Sequence, residues 1–406
     1  MHVTRTLLFI IILGLALQVG LILIHYFVVP LPHALADAVQ YEDRGSAFAQ
    51  FYFETGKLPP LLAAGSTLYA NIIGLVFVVF GTVAFIPVIL NLFLWVGLIC
   101  LTYGITARLT KSTTAPYLAA LVTALFPSLL TYSVVLQRDS FAIFFFALSV
   151  YALIRWIEEG KGWLMVASLA SLLCAAIFHF GVVVVGAVHL ALFIFYGPHT
   201  QQWVMFSRNQ LLAPTIVKVM LVAAFLVSAA LILVTNIPDR PLPEVLTQRL
   251  DEVVRGRATY LPDLRPSSYA DIVLQTPVRV ASFFFAPYPW DVEDPVDLFG
   301  VMIGLTYAVL IALALYSLRF MDRNERIRAV ALLVIVALFA IVFAWGTSNY
   351  GTSLRHKSKI VWMLIALASV SVCLSPRFES LRARVCGTGR FGLAGLLARG
   401  RKYFSS

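Results

Sequence analysis

Apolar runs of 18 or more residues dominate this chain, and no other feature restricts its fold so strongly. A helix of about 20 apolar residues crosses about 30 Å of hydrocarbon, and a helix satisfies its own backbone hydrogen bonds in lipid. Charged residues make up only 12% of the 406 residues, against about 25% in soluble domains. The sequence therefore predicts an all-α, polytopic membrane bundle over residues 1–376, followed by a basic cytoplasmic tail at 377–406.

About ten stretches have the length and composition of spanning helices. Residues 61–80 are apolar enough to form an eleventh, but Gly65 and Asn71, which follow the Pro59-Pro60 break, favour a re-entrant or interfacial helix. The ten predicted spans are 6–29, 84–107, 114–136, 140–156, 163–179, 181–197, 215–236, 298–318, 329–346 and 359–375.

The net charge of +10 would suit a nucleic-acid ligand, but membrane topology accounts for it. With the N-terminus in the cytoplasm, the inner side holds 18 of the 30 Lys and Arg residues and only 5 of the 20 acidic ones. Lys and Arg are enriched on the cytoplasmic side of membrane proteins, and they attract anionic lipid. We therefore expect a multi-pass membrane protein with both termini in the cytoplasm, in contact with membrane lipid and not with nucleic acid.

Three outer loops, 30–60, 237–297 and 347–358, hold most of the polar residues that could do chemistry. In the first loop, Asp37 and Glu42 flank Tyr41 just after the first span. Such a carboxylate can act as a general base for a hydroxyl group or bind a hard cation. A solvated loop surface is the alternative. No metal-ligand motif occurs, so no metal is assigned, although a divalent cation (Mg²⁺ or Mn²⁺) would be compatible with these acids.

Arg138, Asp139 and His179 lie where long apolar runs end. Charges at such positions are costly unless they are paired or face water. Arg138 could bind a phosphate while Asp139 orients it or takes a proton, but an interfacial ion pair between the two side chains explains the pattern equally well. His179 could contact a substrate, although a lone histidine at a helix end is more often a hydrogen-bonded structural residue.

The third loop contains Arg355, His356 and Lys357, the densest group of cations on the outer side. These residues run against the positive-inside bias, and an Arg side chain can bind phosphate oxygens in bidentate fashion. Lipid headgroups are the alternative ligand. The nearby Asn349 precedes a glycine-containing turn whose backbone amides can surround an anion. Trp290 lies in an aromatic and acidic run that is typical of sugar sites and also of interfacial aromatic belts.

Several of these motifs resemble a known superfamily. The D-x-x-x-Y pattern at Asp37 and Tyr41, followed by Gly56 and Pro59-Pro60, is similar to the first outer loop of the C-type membrane glycosyltransferases (GT-C). So is the stretch LTYGITARLTKSTTAPYLAALVTALFPSLLTYSVVLQRDS. The run SFAIFFFALSVYALIRW after Arg138 and the later AAIFHFG resemble bacterial Wzy and EpsG-type polysaccharide polymerases. FFFAPYPW and NYGTSLRHK resemble related polysaccharide-export membrane proteins.

The resemblance implies a GT-C-like fold and transfer of sugar from a polyprenyl-linked donor on the outer face of the membrane. The expected reaction is the polymerisation of exopolysaccharide or O-antigen repeat units, with Asp37 as the base. Transfer of one sugar from a polyprenyl phosphate monosaccharide is an alternative, and a lipid-linked glycan flippase or transporter is another. A glycan acceptor and proteins of polysaccharide assembly or export would be further partners.

Overall fold

The computed structural model is an all-α bundle, and it describes residues 4–31, 35–60, 65–197, 202–203, 240–253 and 258–378. Besides the helices, residues Tyr196–Gly197 and Gln202–Trp203 form a short antiparallel ribbon. The α-helices are α1 (Arg5–Phe27), α2 (Leu35–Thr55), α3 (Gly65–Phe80), α4 (Val88–Leu109), α5 (Ala115–Leu125), α6 (Pro127–Ser133), α7 (Asp139–Glu159), α8 (Gly162–Phe178), α9 (Gly186–Phe195), α10 (Leu242–Val253), α11 (Tyr269–Phe285), α12 (Pro295–Ser317), α13 (Arg323–Trp345), α14 (Tyr350–Lys357) and α15 (Val361–Leu374).

Five helices, α1, α4, α7, α12 and α13, are long and apolar enough to cross a membrane. Two bent pairs, α5 with α6 and α14 with α15, raise the number to as many as seven. Three apolar segments, α3, α8 and Phe180–Phe195, are shorter than the length of a span. The expected helical membrane bundle is therefore confirmed, but the figure of ten spans remains a prediction. The span predicted at 215–236 and the basic tail from residue 379 onward lie outside the described residues.

One end of the bundle, which we call the basic end, is joined by ion pairs between helix termini. Glu158, at the end of α7, accepts from Arg108 of α4 and from Arg328 of α13, the latter at 2.8 Å. Lys111, after α4, lies 3.1 Å from the Asp322 carboxylate that caps α13. From the sequence, we expect all of these cations on one side of the membrane, the cytoplasmic side.

The end of α1 and the start of α4 lie at the same end of the bundle, opposite to the basic end. Near the end of α1, Leu21 and Ile22 pack against Val134 and Val135. Near the start of α4, Asn91 donates to the backbone carbonyl of Val135 at 2.9 Å. The intervening helices α2 and α3 pack side by side and run in the same direction, since Tyr41 meets Tyr69 and Gly45 meets Ile73. Helix α3 thus does not change the direction of the later helices.

Helices are interrupted at this opposite end. Pro127 has no backbone N–H to continue α5, and the chain bends by 55° into α6. Residues 134–138 then form a non-helical segment in which Val134 and Val135 are fully buried. Helices α14 and α15 meet at a bend of 62°. Irregular backbone at membrane depth is tolerated where protein covers it, and these breaks place charged side chains inside the bundle.

Candidate functional site

A buried carboxylate between two cations forms the centre of the opposite end. Asp139 is the first residue of α7, and its side chain is fully buried. Arg355 of α14 donates from Nε to Asp139 Oδ2 at 2.6 Å, and Lys359 Nζ lies 2.5 Å from Oδ1. The N-terminus of a helix also favours a negative charge. The structure therefore gives Asp139 a partner on each oxygen, and Arg138 is not one of them.

Arg355 links this buried carboxylate to Asp37 at the start of α2. The Nη1 atom of Arg355 donates to Asp37 Oδ2. The Asp37 side chain is 41% exposed, whereas that of Asp139 is 0% exposed. Two carboxylates from distant parts of the sequence thus share one guanidinium group. Asp37 is the member of this pair that a solute can reach.

Arg138 lies beside this network without a carboxylate of its own among the described residues. Its side chain is half-buried, and its Nε atom is buried without a hydrogen-bond partner in the described chain. Gly65, the first residue of α3, has φ +64°, and a Cβ atom built there would lie 3.0 Å from Arg138 Nη1. A larger residue at position 65 would be strained and would press on the guanidinium group.

Tyr41 lies one helical turn after Asp37 and is buried against Tyr69, with ring centroids 4.9 Å apart in an edge-to-face arrangement. Burial raises the pKa of the Tyr41 hydroxyl. The cations Arg138 and Arg355 lower it, and the two aspartates raise it further. The hydroxyl group therefore sits in the field of all four charged groups.

Two imidazole rings complete the cluster on its inner side. His179, at the break after α8, lies edge-to-face with His356, with ring centroids 5.2 Å apart. Phe343 of α13 packs against both rings. His356 Nδ1 is 3.1 Å from Lys359 Nζ, and His179 Nδ1 is buried without a partner among the described residues. His356 thus gives Lys359 a second polar neighbour besides Asp139.

The structure does not bring the other sequence-predicted residues into this cluster. Lys357 is buried and donates to the Phe284 carbonyl at 3.1 Å, close to the Tyr307 ring. Asn349 caps α14, since its Oδ1 atom accepts from the amides of residues 351 and 352. Trp290 is 78% exposed and stacks on Tyr288 at 4.9 Å. Within the expected outward cation group, Lys357 is therefore buried away from the cluster, and only the half-buried Arg355 and His356 contribute to the site.

Glu42 also lies apart from the charged cluster, although it belongs to the same helix, α2, as Asp37. Burial raises the pKa of the Glu42 carboxyl group, and the neighbouring Asp43 raises it further. Within the described part of the chain, no three His, Cys, Asp or Glu side chains come together as a metal site.

Sequence reasoning missed Lys359 and Gly65 as parts of the site. Lys359 was assigned to the start of a spanning helix, but it follows Arg355 by four residues. At that spacing two side chains in a helix lie on the same face, whereas Lys357, two residues away, does not share it. That spacing was the available signal. Gly65 carried no comparable signal, because its contact with Arg138 joins two segments 73 residues apart in sequence.

Comparison with known proteins finds no matching family model, no matching curated protein and no matching solved structure.

Proposed function

We propose that this protein is a membrane glycosyltransferase whose donor is a sugar or oligosaccharide linked to polyprenyl phosphate or diphosphate. The reaction we favour is the polymerisation of polysaccharide repeat units at the outer face of a bacterial inner membrane. The observation that carries the proposal is that Arg138, which has no carboxylate partner among the described residues, lies in the same cluster as Asp37, a reachable carboxylate held by Arg355. The motif resemblance described above supports the same assignment.

The Arg138 guanidinium is suited to the phosphate of such a donor. An Arg side chain offers a planar set of donors that matches phosphate oxygens. Arg355 is neutralised by two carboxylates, but Arg138 has none among the described residues, and an anion there would remove the cost of an unpaired charge. The phosphate would then lie next to Gly65, where the absence of a side chain leaves room. In the departing group, Arg138 would offset the charge that develops on phosphate oxygen.

Asp37 is suited to take the proton of the acceptor. In the transfer step, the acceptor hydroxyl oxygen forms a bond to the anomeric carbon while the bond from that carbon to the phosphate oxygen breaks. The electron pair of the broken bond leaves with the phosphate, and the acceptor proton passes to the Asp37 carboxylate. Among the described residues, Asp37 is held by Arg355 alone, whereas Asp139 is held by two cations. Asp139 therefore fixes Arg355, and Asp37 remains free to exchange partners.

Buried ionisable groups at membrane depth also occur in proton-coupled transporters, and the Asp139–Lys359 pair beside two histidines has that character. A transporter of lipid-linked glycan is therefore the second candidate. The two functions differ in what they do to the donor, because transfer changes its covalent structure and transport does not.

The test uses purified full-length protein with defined polyprenyl-linked oligosaccharides and monosaccharides, and mass spectrometry of the glycan products. We expect elongated glycan from the parent protein. Asp37→Asn should lower transfer by about 100-fold or more, as is typical on removal of a general base, while donor binding is retained. Arg138→Lys should weaken donor binding, since lysine lacks the planar fork.

A matched control is Arg44→Lys, which makes the same exchange on α2 outside the cluster and should behave like the parent. Glycan elongation by Asp37→Asn at the parental rate would contradict the assigned base. If the covalent structure of the donor does not change and the intact lipid-linked glycan crosses the membrane of reconstituted vesicles, the result would instead support the transporter. Products formed from the monosaccharide donor but not from the oligosaccharide would narrow the function to single-sugar transfer.

A further inference from the structure

We infer that a groove between α9 and α13, at the basic end of the bundle, binds one anionic phospholipid. The groove has a volume of about 570 Å³, within the range of small-molecule sites. This inference does not rest on the proposed function, because the groove lies at the end of the molecule opposite to Asp37 and Arg138.

The walls of the groove are apolar. Ala187, Ala191 and Leu192 of α9 face Val330 and Val334 of α13. The two valines are 42% and 46% exposed, although they belong to a helix whose other side is buried in the core. The small alanines open the space between the helices. An acyl chain is the occupant that such a surface favours at membrane depth, because it fills the space without leaving a polar group unpaired.

The mouth of the groove carries two cations. Arg323 and Arg326 line it at the start of α13, and both are exposed. Arg326 is held in place by the carbonyl groups of Leu318 and Met321, at 3.3 and 3.2 Å. Neither arginine has a carboxylate partner among the described residues.

The neighbouring acids are already engaged. Asp322 pairs with Lys111 and caps the backbone of α13, and Glu325 accepts from the Asp322 amide at 2.9 Å. An apolar groove that opens beneath two guanidinium groups, both without a carboxylate partner in the described part of the chain, complements a lipid with an anionic phosphate headgroup. Basic pockets between helices on the cytoplasmic side are known to hold such lipids.

The experiment is native mass spectrometry of the full-length protein, purified in detergent and supplied with phosphatidylglycerol or with phosphatidylcholine of the same acyl chains. We expect the parent to retain one phosphatidylglycerol per chain in preference to phosphatidylcholine. Each of the two arginines at the mouth of the groove should strengthen this attraction about fivefold, the effect of one basic residue next to anionic headgroups, so that Arg323→Gln with Arg326→Gln should weaken retention about 25-fold. Arg323→Gln alone, a change to an exposed side chain, should weaken it about fivefold.

Two controls separate a built site from general attraction. Arg319→Gln removes the same charge from the same end outside the groove, and it should retain lipid like the parent. Ala191→Phe fills the groove and should reduce retention of the lipid, whereas Val166→Phe, on the exposed face of α8, should not. Equal retention of the two lipids, an Arg319→Gln effect as large as that of Arg323→Gln, or parental retention by Ala191→Phe would each overturn the inference. So would a crosslink between Ala191→Cys and a cysteine within 215–236, since the chain itself would then cover the groove.

Discussion

Helix α7 carries the same arrangement at both of its ends, with different consequences. At each end, one carboxylate lies between two cations from later or earlier helices. Glu158 lies between Arg108 and Arg328, and Asp139 lies between Arg355 and Lys359. The 21 residues of α7 separate these two groups by about 30 Å, which is the thickness of the hydrocarbon core.

The two groups differ in solvation and in what surrounds them. The Glu158 side chain is 20% exposed, and its partners come from the ends of continuous helices. Asp139 is fully buried, and its partners come from the bend between α14 and α15. Next to Asp139 lie a second carboxylate, two imidazoles and an arginine without a carboxylate partner among the described residues. The first group ties helices together, and only the second has groups free to meet a ligand.

The largest expected difference between the two ends is their accessibility from outside the cell. In a variant without native cysteines, Ser267→Cys should react fully with a membrane-impermeant thiol reagent on intact cells. Asp322→Cys, at the basic end, should not react until the membrane is opened. Reaction of Asp322→Cys in intact cells would reverse the orientation that we propose and would put the charged cluster in the cytoplasm.

The next largest effect is on stability. Asp139→Asn leaves the buried Lys359 without a carboxylate partner among the described residues and leaves Arg355 with Asp37 alone, a change that costs about 3–5 kcal/mol. Glu158→Gln, at the partly solvated end, should cost about 1 kcal/mol, because exposed ion pairs contribute little. Thermal unfolding of both variants in the same detergent measures the difference. Equal losses of stability would mean that burial does not distinguish the two carboxylates.

Arg355→Lys tests whether the planar guanidinium matters, with Arg328→Lys as the matched exchange at the basic end. Arg355 uses Nε for Asp139 and Nη1 for Asp37, and one ammonium group cannot hold both in that geometry. We expect a loss of transfer of about 10- to 100-fold. Arg328 makes one contact to Glu158, so Arg328→Lys should transfer sugar at nearly the parental rate. A parental rate from Arg355→Lys would show that charge alone suffices.

The difference between the two ends also explains what the sequence could predict. The gathering of Lys and Arg at the basic end follows from topology, because the positive-inside bias places them on one side of the membrane. Four charged residues of the site could be selected individually, because a charge that borders an apolar run is costly unless it is paired or faces water. They are Asp37, Arg138, Asp139 and Arg355. Their pairing could not be predicted, because it joins residues as far apart as 37 and 355. An ion pair of Asp139 with its neighbour Arg138 is one of the two alternatives that the sequence leaves open, and the fold supplies Arg355 and Lys359 as partners instead.

The smallest expected effect concerns Gly65, and it separates backbone strain from contact with the site. Gly65 and Gly81 both have positive φ angles, +64° and +82°, so that alanine at either position should cost about 1–2 kcal/mol of backbone strain. A Cβ atom at Gly81 meets nothing within 4 Å, whereas one at Gly65 approaches Arg138 Nη1. Gly65→Ala and Gly81→Ala should therefore lower the unfolding temperature by similar amounts. Only Gly65→Ala should also weaken binding of the lipid-linked donor, by a few-fold, because it displaces the guanidinium that we assign to the phosphate.

Titration of donor into both variants measures this difference. Equal donor affinities for the two would mean that the phosphate does not bind between Gly65 and Arg138, and the site would then be confined to Arg355 and its two carboxylates.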